Sequence, residues 1–300
     1  MILGNYSPQL NIFHLMTLRP NNLITQQVER MRNLNQTDKN KPSIMKKIFL
    51  TAIVTVTAMV SISAQKDTTQ PYIELKELPR LVDIMPAPPS FDSPEFANDI
   101  VRYSWGKQQR QDSVRLAQAI ADAEWFDHEK LFLQWKDAFG LEINPENTPE
   151  IWKLMEASLA TTDPMRKEPK AHYGRQRPFE RFDDSMPSHE EKDLRGEGSF
   201  PSGHSLRGWC VSLLLAQIAP ERATEIFKRG WDYCDSRVIV GAHWQSDVDI
   251  SRAVASIGFC ALQGNPDFIA QMKKAQAEYK EKAKEITNVN TTPVPRASVR

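Results

Sequence analysis

Hydrophobic residues recur along most of the chain at the three- and four-residue spacing that places them on one face of an α-helix. One such stripe, which follows Thr148-Pro149, consists of Ile151, Leu154, Met155 and Leu159. Comparable stripes follow residues that favour helix starts, namely Ser93-Pro94, Asp112-Ser113, Pro220 and Asn265-Pro266. The β-prone signal is confined to the short stretch 238–240. The pattern therefore predicts an all-α fold.

The most apolar of these segments, residues 206–219, has almost no polar face and is predicted to be a buried central helix. The helical pattern spans 92–285 without an internal repeat, which indicates a single-domain helical bundle around that helix. A proline-rich stretch at 65–91 favours an extended arm that lies over the domain. The polar, proline-interrupted tail at 286–300 is expected to be loose.

Another apolar run lies closer to the N-terminus, where Met45-Lys46-Lys47 precedes the apolar residues 48–60 and a few small residues. This order is typical of a secretory signal peptide, here 45–64 with cleavage before Gln65. Residues 1–44 would then be an upstream extension, and the mature protein would be periplasmic or secreted. The run is too short to span a bilayer comfortably. A buried strand or helix of the mature protein is the alternative.

The composition narrows the classes of partner. The 38 basic and 38 acidic residues balance to zero net charge, so electrostatics give no reason to expect nucleic acid or an anionic membrane as partner. Cys210, Cys234 and Cys260 lie in apolar stretches and are predicted to be buried free thiols, with one disulfide as the alternative. The sequence has no Cys-x-x-Cys pair and no His-Glu-x-x-His helix, so no metal cofactor is expected.

Polar residues that carry chemistry are concentrated in three islands, at 170–178, 196–208 and 236–247. In the first island, Lys170 and Arg177 are seven residues apart. A helix that ends at Pro178 would therefore place both on one face. For this island alone, a solvated basic surface is the alternative.

The second island reads Gly-Glu-Gly-Ser-Phe-Pro-Ser-Gly-His-Ser-Leu-Arg-Gly and lies directly before the predicted central helix. A helix start leaves backbone N–H groups unpaired at the positive end of the helix dipole, so it attracts anions. The stretch lacks the Gly-Lys-Ser/Thr ending of a nucleotide P-loop. An ordinary turn, with Ser202 as N-cap and His204 in the first turn, is the alternative.

In the third island, His243 and Asp247 are four residues apart. On a helical turn the carboxylate can accept a hydrogen bond from one imidazole nitrogen, which fixes the tautomer and leaves the other nitrogen able to attack or to accept a proton. A surface or capping contact is the alternative for this pair alone.

Taken together, the islands resemble the three-part signature of the phosphatidic acid phosphatase type 2 and vanadium haloperoxidase superfamily. The matching residues, in order and spacing, are Lys170, Arg177-Pro178, Pro201-Ser202-Gly203-His204, Ser236-Arg237, His243 and Asp247. Residues 198–205 are closely similar to the signature of bacterial class A non-specific acid phosphatases, with Phe200 and Ser205 where these usually have Tyr and Thr. The similarity extends from about Met85 to about Tyr279.

This resemblance implies a metal-independent phosphoric monoester hydrolase with an acidic pH optimum, sensitive to phosphate analogues such as vanadate. It implies a phosphate cradle formed by Lys170, Arg177, Ser202, Gly203 and Arg237, whose forked or backbone donors suit phosphate oxygens. His243 would be the nucleophile that forms a phosphohistidine, with Asp247 orienting it. His204 would protonate the departing alkoxide and then activate water.

Other polar residues of the islands have weaker assignments. Arg175 is offset by two residues from Arg177, so it is expected to point elsewhere on a helix. His172 and His189 match no position of the signature and are predicted to lie on the surface or behind the site.

Three other functions are compatible with such islands: a vanadium-dependent haloperoxidase, a lipid phosphate phosphatase acting at the membrane surface, and an exported phosphate-binding module. The chain is short for a haloperoxidase, and the mature region has no spanning helix of the kind found in lipid phosphatases. The expected partners are therefore small-molecule phosphate monoesters, with a phosphotransferase side activity. Family members often self-associate, which leaves a homo-oligomer open.

Overall fold

The computed structural model describes residues 69–124 and 127–291, with side chains up to 285. The α-helices are α1 (Leu81–Ile84), α2 (Phe96–Gln109), α3 (Ser113–Ala121), α4 (His128–Leu133), α5 (Lys136–Phe139), α6 (Pro149–Thr162), α7 (Lys167–Tyr173), α8 (Pro178–Arg181), α9 (Glu191–Leu194), α10 (Gly203–Ile218), α11 (Ala223–Ile239), α12 (Gln245–Leu262) and α13 (Pro266–Thr291). Short 3₁₀ turns lie at Leu75–Glu77, Asp163–Arg166 and Pro220–Arg222. The described residues contain no strand, which confirms the all-α prediction.

Side-chain caps account for two of the predicted helix starts. Asp112 accepts hydrogen bonds from the backbone N–H groups of Val114 (2.9 Å) and Arg115 (3.2 Å) at the start of α3. At the start of α13, the side chain of Asn265 accepts from two backbone N–H groups at 3.0 Å. These bonds satisfy donors that a helix start leaves unpaired, so the short polar residues define where the helices begin.

The predicted central helix is α10. Most of its residues are buried, and the helix packs against α11 and α12. The stripe predicted on α6 is buried in the same core, as Ile151, Leu154, Met155 and Leu159. The bundle therefore has one large core around α10, and the ends of its helices position the site.

The proline-rich arm is less extended than predicted. Within 69–91 it contains a 3₁₀ turn and the short helix α1. Leu78, Leu81 and Met85 are buried in the main core, so the arm covers part of the bundle as expected.

Three expectations from the sequence need correction. The β-prone stretch 238–240 lies at the end of α11, because its apolar side chains are buried there on a helix. Helix α13 continues to Thr291, beyond the domain boundary predicted at 285. Cys210 and Cys234 are buried, and burial raises the pKa of each thiol to about 12. Cys260 is exposed rather than buried, and none of the three is in a disulfide.

The predicted signal peptide and upstream extension lie outside the described residues. The described residues belong to one compact unit, Thr68–Arg300. Within that described part, no helix combines the length and hydrophobicity needed to cross a membrane.

Candidate active site

Backbone hydrogen bonds join the three islands into one region. Ser199 N–H donates to the carbonyl of Arg175 (2.8 Å), which connects the second island to the first. Ser202 N–H donates to the carbonyl of Asp247 (3.3 Å), which connects the starts of α10 and α12. The turn after α11 is closed by donation from Ala242 N–H to the carbonyl of Arg237 (3.1 Å). The site is therefore assembled mainly by the ends of helices.

Lys170 and Arg177 do not share a helical face, so that prediction is wrong. Helix α7 ends at Gly174, whose positive φ of 50° suits glycine, and Arg177 is extended before Pro178. Pro178 begins α8 instead of ending a helix, because the first helical position needs no N–H donor. Both cations nevertheless meet, since Lys170 Nζ (2.7 Å) and Arg177 Nη2 (3.3 Å) donate to the carbonyl of Gly198.

Gly198 has to be glycine for this meeting to occur. A Cβ atom at Gly198 would lie 2.6 Å from the backbone oxygen of Lys170, closer than real contacts allow. Glycine in the second island therefore has a packing role in addition to helix capping. It allows the segment before α10 to lie against the end of α7.

Arg177 is fully buried and forms its remaining contacts with uncharged groups. It donates to the carbonyls of Glu197 (3.1 Å) and Ala242 (3.0 Å), and its Nη1 lies 3.0 Å from Nε2 of His243. Burial, with the nearby Arg237 as the next cause, lowers the pKa of Arg177 to about 10. The pKa of Lys170 is also lowered well below its ordinary value, by burial and then by Arg177. The positive charges of Lys170, Arg177 and Arg237 repel each other, and a bound anion would relieve this repulsion.

Arg237 approaches the same region from the end of α11 and is completely buried. Its Nη2 donates to Glu190 Oε1 at 2.5 Å. Among the described residues, its Nε and Nη1 have no hydrogen-bond partner. Buried guanidinium donors without partners are costly, so these two point to an oxyanion as their missing acceptor.

The start of α10 has the capping geometry expected for an ordinary turn, which was the alternative for the second island alone. Ser202 is the N-cap, and its hydroxyl accepts from Ser205 N–H at 3.3 Å. Gly203 is the first helical residue, where a Cβ atom would lie 2.9 Å from the Arg166 side chain. A helix start of this kind can bind an anion through its unpaired N–H groups.

His204, in the first turn of α10, is buried. Its Nε2 lies 3.1 Å from the carbonyl of Ala123 and 3.9 Å from Glu190 Oε2. Because a carbonyl only accepts, Nε2 carries the hydrogen in this contact. Burial lowers the pKa of His204 well below its ordinary value, with Arg237 as the next cause.

The tautomer of His243 follows from its neighbours. Arg177 can only donate, so His243 Nε2 accepts and has its lone pair on the side of the basic residues. The hydrogen is then on Nδ1, which lies 3.4 Å from Asp247 Oδ2 but forms no hydrogen bond with a described residue, so the predicted hydrogen bond to the carboxylate is not formed. Burial, followed by Arg177, lowers the pKa of His243 well below its ordinary value, which keeps the ring neutral. A neutral imidazole with its lone pair facing an anion site is suited to nucleophilic attack.

Asp247 is held by contacts that the sequence analysis missed. Arg175 donates to Asp247 Oδ1 (2.6 Å) and to Asp99 Oδ2 (2.8 Å), and Asp247 Oδ2 also accepts from Trp244 N–H (2.9 Å). We call Arg175, Asp99 and Asp247 the Arg175 network. Arg175 and Arg177 have different partners, as predicted, but the predicted helical reason is wrong because residues 174–177 are not helical. Arg175 holds in place the carboxylate that lies 3.4 Å from His243 Nδ1.

Asp99 had a signal in the sequence. On α2 it lies three residues after Phe96 and four before Tyr103, on the stripe that is buried against Trp244. A carboxylate on an otherwise apolar stripe requires a buried partner. Glu190 had no comparable signal, because it lies in an irregular segment where spacing carries no information. His172 and His189 are exposed, as predicted.

A cavity of about 350 Å³ adjoins the buried site. Its lining includes Ala123, whose carbonyl contacts His204, and Glu190, which contacts Arg237. Ile120 and Ser188 add apolar and hydroxyl surface. The cavity can therefore hold a group attached to an oxyanion at the site. Among the described residues, no group of three or more His, Cys, Asp or Glu side chains is arranged to hold a metal.

A helical bundle with this basic, histidine-containing site is the architecture of a known superfamily. The profile of the PAP2 superfamily matches residues 155–263, which contain every residue of the predicted signature. The match begins within α6 and ends after α12, so it covers the helices that form the site.

Individual relatives narrow the assignment. The chain is 37% identical over 222 residues to the non-specific acid phosphatase of Salmonella typhi, covering 72% of this chain and 86% of that protein. It is 35% identical over 234 residues to the non-specific acid phosphatase of Providencia stuartii, covering 76% of this chain and 94% of that protein. An acid phosphatase of Zymomonas mobilis is 34% identical over 194 residues, covering 64% and 72%. The chain belongs to the non-specific acid phosphatases of the PAP2 superfamily.

Proposed function

We propose that this acid phosphatase is exported and hydrolyses a broad range of phosphate monoesters through a phosphohistidine on His243, without a metal. One observation carries the proposal: the lone pair of His243 Nε2 is held among buried cations by Arg177, while Asp247 lies on the opposite side of the ring. This arrangement combines a nucleophile and an anion site in one place.

The first chemical step is an in-line displacement at phosphorus. As the phosphate binds, Arg177 Nη1 turns from His243 Nε2 to a phosphate oxygen, and the freed Nε2 lone pair then forms a P–N bond as the P–O bond to the alcohol breaks. His204 gives a proton to the departing oxygen. Lys170, Arg177 and Arg237 hold the phosphate oxygens. Because these cations are in place before the P–N bond forms, they stabilise the negative charge of the transition state without further rearrangement. Asp247 stabilises the positive charge that develops on the imidazole of His243.

The second step restores the enzyme. His204 removes a proton from water, the resulting hydroxide forms a new P–O bond, and the P–N bond to His243 breaks with its electron pair returning to Nε2. An alcohol in place of water would receive the phosphoryl group instead, which is the basis for a phosphotransferase side activity.

The protonation of His204 depends on the substrate. Its pKa is lowered by burial and by Arg237, so at neutral pH the ring is neutral without an anion nearby. A bound phosphate brings negative charge close to the ring and raises the pKa of His204, which lets it hold the proton that the alkoxide needs. Low pH supports the same protonation, in keeping with an acidic optimum.

Broad specificity follows from where the contacts are made. The cations and the helix start would bind the phosphate, whereas the cavity that adjoins His204 is lined by apolar, hydroxyl and charged side chains of both signs. Phosphate charge is neutralised by three basic side chains, so the mechanism needs no metal ion for this purpose. Export rests on the signal-like residues 45–64 and predicts a mature protein that begins at Gln65.

The test compares two histidine variants in the hydrolysis of p-nitrophenyl phosphate. His243→Gln should lower kcat by about 10⁴-fold or more, as expected for loss of a nucleophile. His172→Gln is the matched control, because His172 is exposed and lies outside the site. Rapid quenching in alkali during turnover should yield an acid-labile phosphoenzyme in wild type and none in His243→Gln. Normal turnover by His243→Gln would remove the proposed mechanism.

A further inference from the structure

Glu190 places a carboxylate inside the group of phosphate-binding cations. Its side chain is only 3% exposed, and its Oε1 accepts from Arg237 Nη2 at 2.5 Å. Its Oε2 lies 3.9 Å from His204 Nε2 and has no hydrogen-bond partner among the described residues. A buried carboxylate oxygen without a donor is unusual, so this contact calls for an explanation beyond packing.

The carboxylate occupies part of the donor fork that a phosphate would use. Of the three donor nitrogens of Arg237, Nη2 is bonded to Glu190, and Nε and Nη1 have no partner in the described part of the chain. An oxyanion on Arg237 must therefore either lie beside the Glu190 carboxylate or displace it from Nη2. Both cost free energy, because like charges repel in a buried site and a formed ion pair would be lost.

The other charged groups around Glu190 do not remove this conflict. Before phosphate binds, His204 faces Glu190 with a ring whose pKa is lowered well below its ordinary value by burial and then by Arg237, so the ring adds no positive charge at that stage. Lys130, Glu124 and Asp193 line the adjoining cavity, and Lys130 lies 3.8 Å from Glu124. Arg237 is therefore the one guanidinium in direct contact with Glu190 among the described residues.

We propose that Glu190 is an internal competitor for phosphate: its carboxylate takes the place of a phosphate oxygen on Arg237 and weakens the binding of the phosphate product, which promotes its release. The inference rests on the proposed function of the site. A residue that only oriented Arg237 would strengthen phosphate binding, whereas a competitor weakens it, so the two roles predict opposite effects.

The experiment measures the inhibition constant Ki of inorganic phosphate against hydrolysis of p-nitrophenyl phosphate. Glu190→Gln keeps the shape and removes the charge, and it should lower Ki at least about tenfold, which corresponds to about 1.4 kcal/mol. Glu190→Ala should also lower Ki, which excludes a new hydrogen bond from the amide as the cause. The control is Glu191→Gln, since Glu191 contacts Arg195 and Met186 N–H outside the site, and its Ki should stay within about twofold of wild type.

A second measurement keeps the result interpretable if a variant turns over poorly. Calorimetric titration with phosphate, on protein whose thermal unfolding is cooperative, should show tighter binding to Glu190→Gln than to wild type. An unchanged or higher Ki, or weaker calorimetric binding, would overturn the competitor role and make Glu190 a positioning residue for Arg237. If wild type neither hydrolyses the ester nor binds phosphate, the proposed function fails; if wild type does both, only this inference is at stake.

Discussion

Arg175 and Arg177 are two residues apart and almost fully buried, yet their surroundings differ in charge. Arg175 is paired with two carboxylates, Asp247 at 2.6 Å and Asp99 at 2.8 Å. Arg177 contacts backbone carbonyls and His243, and no carboxylate lies within ion-pair distance of it among the described residues. The first charge is neutralised by the protein, whereas the second is left for a ligand.

The difference separates structural charge from functional charge. A buried cation stabilises the fold only while its carboxylate partners are present. Removing one partner leaves the others as buried charges without compensation, which is destabilising. A buried cation bonded to neutral groups is strained electrostatically, which the lowered pKa of Arg177 reflects, and it gains most when an anion binds. His243 lies between the two, with Arg177 at Nε2 and Asp247 near Nδ1.

The largest effect is expected from removing the structural charge. Arg175→Met leaves the buried carboxylates of Asp99 and Asp247 without their cation, and the free energy of unfolding should fall by about 3–5 kcal/mol. Urea unfolding followed by circular dichroism measures this loss. A stability equal to that of wild type would contradict the assignment of Arg175 to the fold.

Removing the functional charge should instead reduce activity. Arg177→Met deletes donors that we propose bind phosphate oxygens, so kcat/KM for p-nitrophenyl phosphate should fall by about 10²- to 10³-fold. Its stability should change clearly less than that of Arg175→Met, because a poorly solvated charge is removed together with its hydrogen bonds. Equal losses of stability in both variants would erase the contrast between the two arginines.

A smaller change sharpens the contrast within the Arg175 network. Asp99→Asn keeps the size of the side chain but weakens its bonds to Arg175 and to Ser246, which donates to Asp99 through N–H at 2.8 Å and through Oγ at 2.6 Å. The unfolding free energy should fall by about 1–3 kcal/mol. A loss of activity at full stability would show that Asp99 belongs with the functional charges instead.

The smallest effect expected is on the pH dependence of stability. The folded protein holds His204 and His243 with pKa values lowered well below the ordinary one, so below about pH 6.5 the unfolded chain takes up these protons first. Stability should therefore be constant with respect to these groups above that pH and fall on acidification by up to about 1.4 kcal/mol per pH unit for each histidine. His204→Gln should flatten the slope in urea unfolding; an unchanged slope would show that His204 does not contribute.

Much of the site could be predicted because the signature residues lie at helix ends, where capping preferences and spacing are informative. His243 and Asp247 lie close together as predicted, although His243 Nδ1 forms no hydrogen bond with a described residue. Ser202 is the N-cap of α10, as the turn alternative for the second island expected. The shared helical face of Lys170 and Arg177 was wrong, although Gly174 and Pro178 are residues that end and begin helices. The seven-residue spacing of Lys170 and Arg177 suggested one continuous helix, whereas Gly174 and Pro178 indicate a break between two helices.

Contacts that depend on distant parts of the chain were beyond the reach of sequence patterns. Glu190 meets Arg237 across 47 positions of sequence, and Asp99 meets Arg175 across 76. Neither pair has a spacing rule, because tertiary packing brings these residues together. Asp99 was recognisable only as a charge on an apolar stripe, which indicates a buried partner without naming it.

We propose that the oxyanion binds next to His243, on Arg177, which has no carboxylate partner among the described residues, and on the two nitrogens of Arg237 that its ion pair with Glu190 leaves unbonded. A crystal structure with bound tungstate tests this most directly. The ion should lie within hydrogen-bond distance of Arg177 and Arg237, with His243 Nε2 directed at the metal atom of the tungstate. An ion bound elsewhere, with His243 Nε2 turned away from it, would contradict the account.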